Sequence, residues 1–323
     1  MAERGSRKVA TRLVDQTKRG WRSCVSGLLT MTVLAQVAAA EPFRLGVINE
    51  RPDRPSFALE QYAPLEAYLH ARLAERGFAT TGEVVITRDL DEMSSRVETG
   101  AVQAVLEGVM PTLKLRQRTG RLDVRLLLWR KGQRQYHTVF FARRDSMIER
   151  LDQLRGKTIV FESPRSTSAY DVPRLALIEA GLNLVSAVGN GVSDGHSPRD
   201  VRFVFAGSEL NQAYWVHAGR ADAGAFNDGD WERVPKTIQS ELRIFHETPP
   251  ILRWLLSFTA VVDPDVRDAA VEILLSMDKD PEGRAVLQAA SRIAKIERLT
   301  DADRASLTYW EQALRRLGSM AIE

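Results

Sequence analysis

From residue 43 onward the chain alternates short apolar runs with amphipathic stretches. FRLGVI (43–48) predicts a buried strand, and YAPLEAYLHARLAERG (62–77) predicts a helix with Pro64 in its first turn and Gly77 just past its end. EVVIT (83–87) predicts a strand, LDEMSSRVETG (90–100) a helix, VQAVL (102–106) a strand and PTLKLRQRTG (111–120) a helix. DVRLLLW and YHTVFFARR follow as strands, then a short helical turn at LDQLRG (151–156), strand KTIVFE (157–162) and the helical segment RLALIEAGL. A Gly, Asn, Ser and Asp-rich loop (189–200) leads to strand VRFVFAG (201–207), helix ELNQAYWVHAG (209–219) and strand ADAGAF (221–226). LRIFHE (242–247) and LLSFTAVV (255–262) predict further strands, and the remainder predicts helix. Strands separated by helices predict an α/β protein with largely parallel sheets covered on both faces. Val97-Glu-Thr-Gly-Ala-Val-Gln-Ala104 is echoed by Val216-His-Ala-Gly-Arg-Ala-Asp-Ala223, each a helix end, a capping glycine and a buried strand. The echo falls at equivalent points of two halves and predicts two such sheets.

The first forty residues have a different character. Seven Lys or Arg stand against Glu3 and Asp15 before residue 23, followed by the apolar CVSGLLTMTVLAQV and then Ala38-Ala39-Ala40. A basic region, a short apolar core and small residues before Glu41 predict a secretory signal peptide (1–40), cleaved to release a soluble, periplasmic protein. The leader carries a net +5, so the chain's +3 becomes about −2 for residues 41–323. The basic balance therefore belongs to the leader and gives no argument for nucleic-acid binding. The single cysteine, Cys24, lies in the leader without a lipoprotein-type context, so the exported chain would hold no disulfide and use no thiol chemistry.

Candidate chemistry is concentrated in SPRSTSAYDVPR (163–174), where three hydroxyls precede a predicted helix. A helix start leaves N–H groups unpaired at the positive end of the dipole, so it is either capped by one hydroxyl or left open for an anion. The five histidines show no metal-ligand spacing, Asp228-Gly-Asp230 is too short for a calcium loop, and Gly189–Gly195 lacks the strand-to-helix setting of a dinucleotide loop. No Gly-x-Ser-x-Gly occurs. Tyr170, Tyr214, Trp215 and Trp231 are core candidates, and Tyr136 is the aromatic residue expected at a hinge.

LGVI, YAPLEAYL, the Gly100-x-x-x-Ala104 step, Tyr136-x-Thr138, LDQLRGKTIVFESPRSTSAYDVPRLALIEAGL, VHAGRADAGAF, Pro249-Pro250 after FHET, and DKDPEGRAVL occur in one order over nearly all of residues 43–323. In that order they resemble the periplasmic phosphate, phosphite and phosphonate binding proteins of ABC transporters. The resemblance implies the type II solute-binding fold, an α/β clamshell with lobes 41–137 plus 255–323 and 138–254, crossed near Tyr136–Val139 and Leu255–Thr259. It implies that Ser166, Thr167 and Ser168 take the ligand's oxyanion, with Tyr136, Thr138, Asn49, Asn227 and Asp228 as further contacts. By spacing, Glu107 and Glu209 stand where the family commonly places a Tyr and a His, and Gln103 replaces a first-lobe Asp. Each Glu is either a solvated loop or helix-start carboxylate, Glu209 favouring its helix dipole, or a cleft residue. If both face the cleft, a carboxylate about 5 Å from an anionic ligand would repel it by roughly 3 kcal/mol at an effective dielectric near 20. Either Arg51, Arg54, Arg134 or Arg165 neutralises the pocket, or the ligand carries a cationic group of its own.

The resemblance thus implies a monomeric exported receptor, without cofactor or metal, that closes on a phosphonate-like or zwitterionic small molecule and delivers it to a membrane ABC permease. The alternative partner is a sensor kinase or chemoreceptor. An exported enzyme on the same fold is the remaining reading, and no nucleophile, metal or acid–base constellation supports it.

Overall fold

The computed structural model describes residues 41–51, 53–187 and 197–320. The predicted leader and the Gly189–Gly195 loop lie outside the described residues.

In chain order the elements are β1 (Glu41–Ile48), α1 (Phe57–Glu75), β2 (Thr80–Thr87), α2 (Leu90–Glu98), β3 (Ala104–Glu107), α3 (Val109–Thr119), β4 (Leu122–Leu128), β5 (Gln135–Tyr136), β6 (Thr138–Arg143) and β7 (Thr158–Phe161). There follow α4 (Val172–Glu179), β8 (Leu184–Ser186), β9 (Val201–Phe205), α5 (Glu209–His217), β10 (Ala223–Asn227), the short α6 (Asp228–Trp231) and α7 (Lys236–Gln239), and β11 (Leu242–Glu247). The chain closes with β12 (Ile251–Leu252), β13 (Trp254–Thr259), α8 (Pro264–Ser276), α9 (Pro281–Ala289), β14 (Ile296–Arg298) and α10 (Asp301–Met320).

Among the described residues the strands form two six-stranded sheets, ordered β14-β4-β13-β3-β1-β2 and β11-β6-β10-β7-β9-β8, and a two-stranded ribbon of β5 with β12. The sheets repeat one plan. In the first, β1 lies parallel between β2 and β3, with β13 antiparallel beyond β3. In the second, β7 lies parallel between β9 and β10, with β6 antiparallel beyond β10. The sequence echo marks this repeat: α2 and α5 each end in a left-handed glycine, Gly100 (φ 70°) and Gly219 (φ 69°), before the third parallel strand. Only glycine takes that conformation without a Cβ penalty.

Both faces of each sheet are covered, as the continuous apolar runs require. In the first sheet Phe43, Leu45 and Val47 pack against Leu65, Leu69 and Leu73 of α1, while Val105 on the other face meets Met93 and Val97 of α2. In the second, Phe140 and Ala142 face Leu177 of α4, and Val139 and Phe141 face Ala213 and Val216 of α5. Among the described residues no helix is long and apolar enough to cross a membrane.

Four sequence expectations are corrected. Helix α1 begins at Phe57, so Pro64 lies inside it, where it removes one helical hydrogen bond. Leu255–Thr259 is not a crossover: within β13 it pairs with β3 and β4 in the first sheet. The two passages between the sheets pair instead as Tyr136 with Ile251 and Gln135 with Leu252. Strands β8 and β14 each span three residues, too few to give an apolar period.

Candidate ligand site

In an open parallel sheet the loops after the carboxyl ends of the strands, between strand order reversals, form a crevice. Here those loops hold Asn49 after β1, Glu107-Gly108 after β3, Glu162–Asp171 after β7, Ser208-Glu209 after β9 and Asn227-Asp228 after β10. The two sheets bring these ends toward each other. Arg165 Nη2 donates to the Asn49 carbonyl at 2.9 Å and the Arg88 carbonyl at 2.8 Å, and Lys114 Nζ meets Asp171 at 2.6 Å. A Cβ on Gly108 would stand 3.8 Å from Thr167 Oγ1 and 3.7 Å from Trp254 Nε1. The hydroxyl cluster and the N-terminus of α3, which no side chain caps, therefore face across one narrow space.

The three hydroxyls differ. Ser166 accepts the Ala169 N–H at 3.1 Å, capping a wide helical turn (Thr167–Asp171) that precedes α4. Ser166 is thus a cap through its oxygen, with its hydroxyl proton still able to be donated. Ser168 is buried; its Oγ lies 3.5 Å from Asn227 Nδ2, and its carbonyl accepts the Thr138 hydroxyl at 2.9 Å. Asn227 caps α6 by accepting the Asp230 N–H at 3.0 Å, and its amide also contacts the Asp230 carboxylate. Asp228 receives the Gly229 N–H at 2.9 Å and stands 3.4 Å from Gln133 Nε2. Asn49 is buried, with its side chain bonded to Arg54 and Arg51 of its own loop.

The charges deviate most from the sequence expectation. Glu107 accepts the Ile48 N–H at 2.7 Å and is buried, which pushes its carboxyl up to about 8. At neutral pH it is a neutral acid, so the anticipated repulsion of an anion by Glu107 is absent. Glu209 opens α5; burial and then the Asp230 charge raise its carboxyl. Burial and then Glu209 push Glu162 up to about 7, so these two and Asp230 form one acidic wall. Gln103 stands at the opposite end of β3, where it accepts the Arg44 N–H at 2.9 Å, well away from the crevice.

None of the four arginines named from the sequence neutralises this wall. Arg134 is committed to Asp303 and Glu297, Arg165 to two carbonyls, and Arg51 and Arg54 flank the Phe57 ring. Arg233 pairs with Asp230 at 2.8 Å, and the other cations nearby are Arg130, Lys131 and Arg253; the sequence reading missed all four. Arg130 pairs with Glu50 at 2.6 Å and lies 4.2 Å over the Trp254 ring. Lys131 adopts a left-handed φ of 54°, and its ammonium is held below the usual value by desolvation, then by Arg130. The Arg253 guanidinium lies 4.8 Å over the ring of Tyr136, whose hydroxyl burial holds above its usual value. These residues leave little sequence signal, because they sit in turns and crossovers where no period operates. Among the described residues no group of three or more His, Cys, Asp or Glu could hold a metal ion.

Comparison with known proteins agrees with this architecture. The sequence matches the family described as "ABC transporter, phosphonate, periplasmic substrate-binding protein" over residues 52–304. A search of curated proteins found no significant match. The fold is similar to that of XAC2383 from Xanthomonas citri, solved bound to chloride ion, at 30% identity, 86% of this chain, 99% of that chain and a TM-score of 0.76. An ATP-bound structure of the same protein matches at the same identity and TM-score, covering 87% of this chain and 99% of that one. PhnD1 from Prochlorococcus marinus, in complex with methylphosphonate, is similar at 18% identity, 86% and 98% coverage and a TM-score of 0.59, a likeness of fold. The two mixed sheets match type II periplasmic binding proteins, and the chain belongs to the periplasmic phosphonate substrate-binding family of ABC transporters.

Proposed function

We propose that this chain, exported by its leader, closes two lobes (41–137 plus 255–323, and 138–254) on a small phosphonate-like ligand carrying separated charges and delivers it to an ABC permease. The observation that carries the reading is the charge pattern at the crossovers, where Lys131 and Arg253 act on Asp230, and Lys131 on Glu209, beside the raised carboxyl of Glu162. Ligand oxygens are placed against the cations and the hydroxyls of Thr167 and Ser168, and an ammonium against the wall. Such a ligand replaces like-charge repulsion by attraction at both ends, reduced by desolvation. The chloride- and ATP-bound forms of the 30% identical XAC2383 accord with an anion-taking cleft. Because the ligand touches both lobes, it favours the closed state that the membrane partner reads.

Calorimetric titration of residues 41–323 with an aminoalkylphosphonate, methylphosphonate and inorganic phosphate tests this. The aminoalkylphosphonate is expected to bind at least ~10-fold more tightly than phosphate, the equivalent of one good charge-assisted contact. Equal affinity for phosphate would remove the charge-separated ligand from the reading.

A further inference from the structure

Among the described residues, Arg253 is the only lysine or arginine in the buried class, with 8% of its surface exposed. Its Nε has no hydrogen-bond partner, and no carboxylate forms an ion pair with it. A buried cation without a counter-ion is among the costlier arrangements in a protein interior. The other arginines of the crossover region are committed, Arg130 to Glu50 and Arg134 to Asp303 and Glu297.

The position of Arg253 is also particular. It lies between β12 and β13, and its backbone N–H donates to the Arg134 carbonyl of the other passage at 2.9 Å. It therefore belongs to the hinge, with the Tyr136 ring 4.8 Å from its guanidinium and the charges of Asp230 and Glu50 acting on it only weakly compared with burial. Burial is the main influence on its guanidinium and lowers its proton affinity, as an uncompensated charge requires.

We infer that Arg253 is an anion seat at the hinge floor of the cleft, where its guanidinium receives the ligand's oxyanion. The inference rests on the receptor reading above and names its charged anchor. A planar fork takes two oxygens of one acid group side by side, which selects tetrahedral or planar oxyanions with at least two free oxygens. Thr167 and Ser168 then serve as neutral donors, and full charge compensation comes from the hinge.

The test uses residues 41–323 as wild type, Arg253→Met, Arg253→Lys and Ser166→Ala/Thr167→Ala/Ser168→Ala, titrated with methylphosphonate and inorganic phosphate and melted without ligand. Arg253→Met keeps the apolar stem over Tyr136 and removes the charge. It is expected to raise the ligand-free melting temperature and to weaken both anions by at least ~30-fold, with Arg253→Lys intermediate. If Arg253→Met lowers the melting temperature and leaves affinity intact, the residue merely pins Tyr136 and the seat is overturned. Loss of binding in the hydroxyl variant alone would overturn the seat and leave the receptor reading standing. Loss in Arg253→Met alone would keep the seat and remove the hydroxyl dock. If neither anion binds or stabilises the wild type, both fall.

Discussion

Glu107 shows how far the meaning of one residue depends on its surroundings. As a letter it is a carboxylate that would repel an oxyanion; in place it is a buried acid held to the Ile48 N–H, with burial raising it from 4.5 to about 8. Because the folded value lies above the unfolded one, the folded state binds more protons between them. Stability fully present below about pH 4.5 is then lost as pH rises through about 8. Glu107→Gln, which keeps the hydrogen-bonding shape without the charge, should flatten that slope. Between pH 5 and pH 8 the wild type is expected to lose roughly 5 °C more of melting temperature than the variant. Parallel melting curves across this range would mean that Glu107 ionises without consequence. The hydroxyl cluster carries a similar lesson: Ser166, Thr167 and Ser168 are adjacent in sequence, yet Ser166 caps its own turn at the Ala169 N–H, while Thr167 faces Gly108 of the other sheet.

Among the elements, β10 and β6 meet closely in the second sheet. Gly224 lies opposite Phe141, and a Cβ there would come within 2.5 Å of the Phe141 ring, itself packed on Phe226 and Trp231. Gly224→Ala must displace that ring from a filled core, at a cost of about 1–3 kcal/mol. The melting temperature should fall by several degrees, whereas an unchanged value would show that Phe141 moves freely. The run ADAGAF indicated a buried strand at this position. It could not indicate that its glycine makes room for one particular ring, because that ring is supplied by a strand more than eighty residues earlier.

At the scale of the whole molecule, the two sheets are joined by loop contacts that no single element supplies. The Arg165 guanidinium reaches two carbonyls of the other sheet's loops, each bond charge-assisted and worth about 1.5 kcal/mol or more. Arg165→Ala should shift the balance toward the open form and weaken the aminoalkylphosphonate by ~10-fold, the equivalent of one such bond. In small-angle scattering, ligand should lower the radius of gyration of the wild type, and the variant should need more ligand to reach the same value. Scattering curves that ignore both ligand and substitution would count against a clamshell. The order of strands and helices, the covered faces and the repeated helix–glycine–strand step were all legible beforehand. The passage taken by the second crossover was not: the apolar run 255–259 reads the same whether it joins two sheets or lies within one.

The sequence by itself determined the class of fold and the family, because strand and helix signals depend on neighbours within a few residues and a long ordered set of motifs survives in the chain. It also singled out loops that the fold places at the carboxyl ends of the parallel strands. Tertiary structure alone decided which charges meet there. Glu50, Arg130, Glu162, Glu209, Asp230 and Arg253 come from six separate places in the chain, in loops, turns and helices, and their interactions depend on distance and burial, which no local pattern encodes. The same separation explains why the four arginines named from the sequence are engaged elsewhere, while a buried arginine in the hinge rests on an aromatic ring with no carboxylate paired to it.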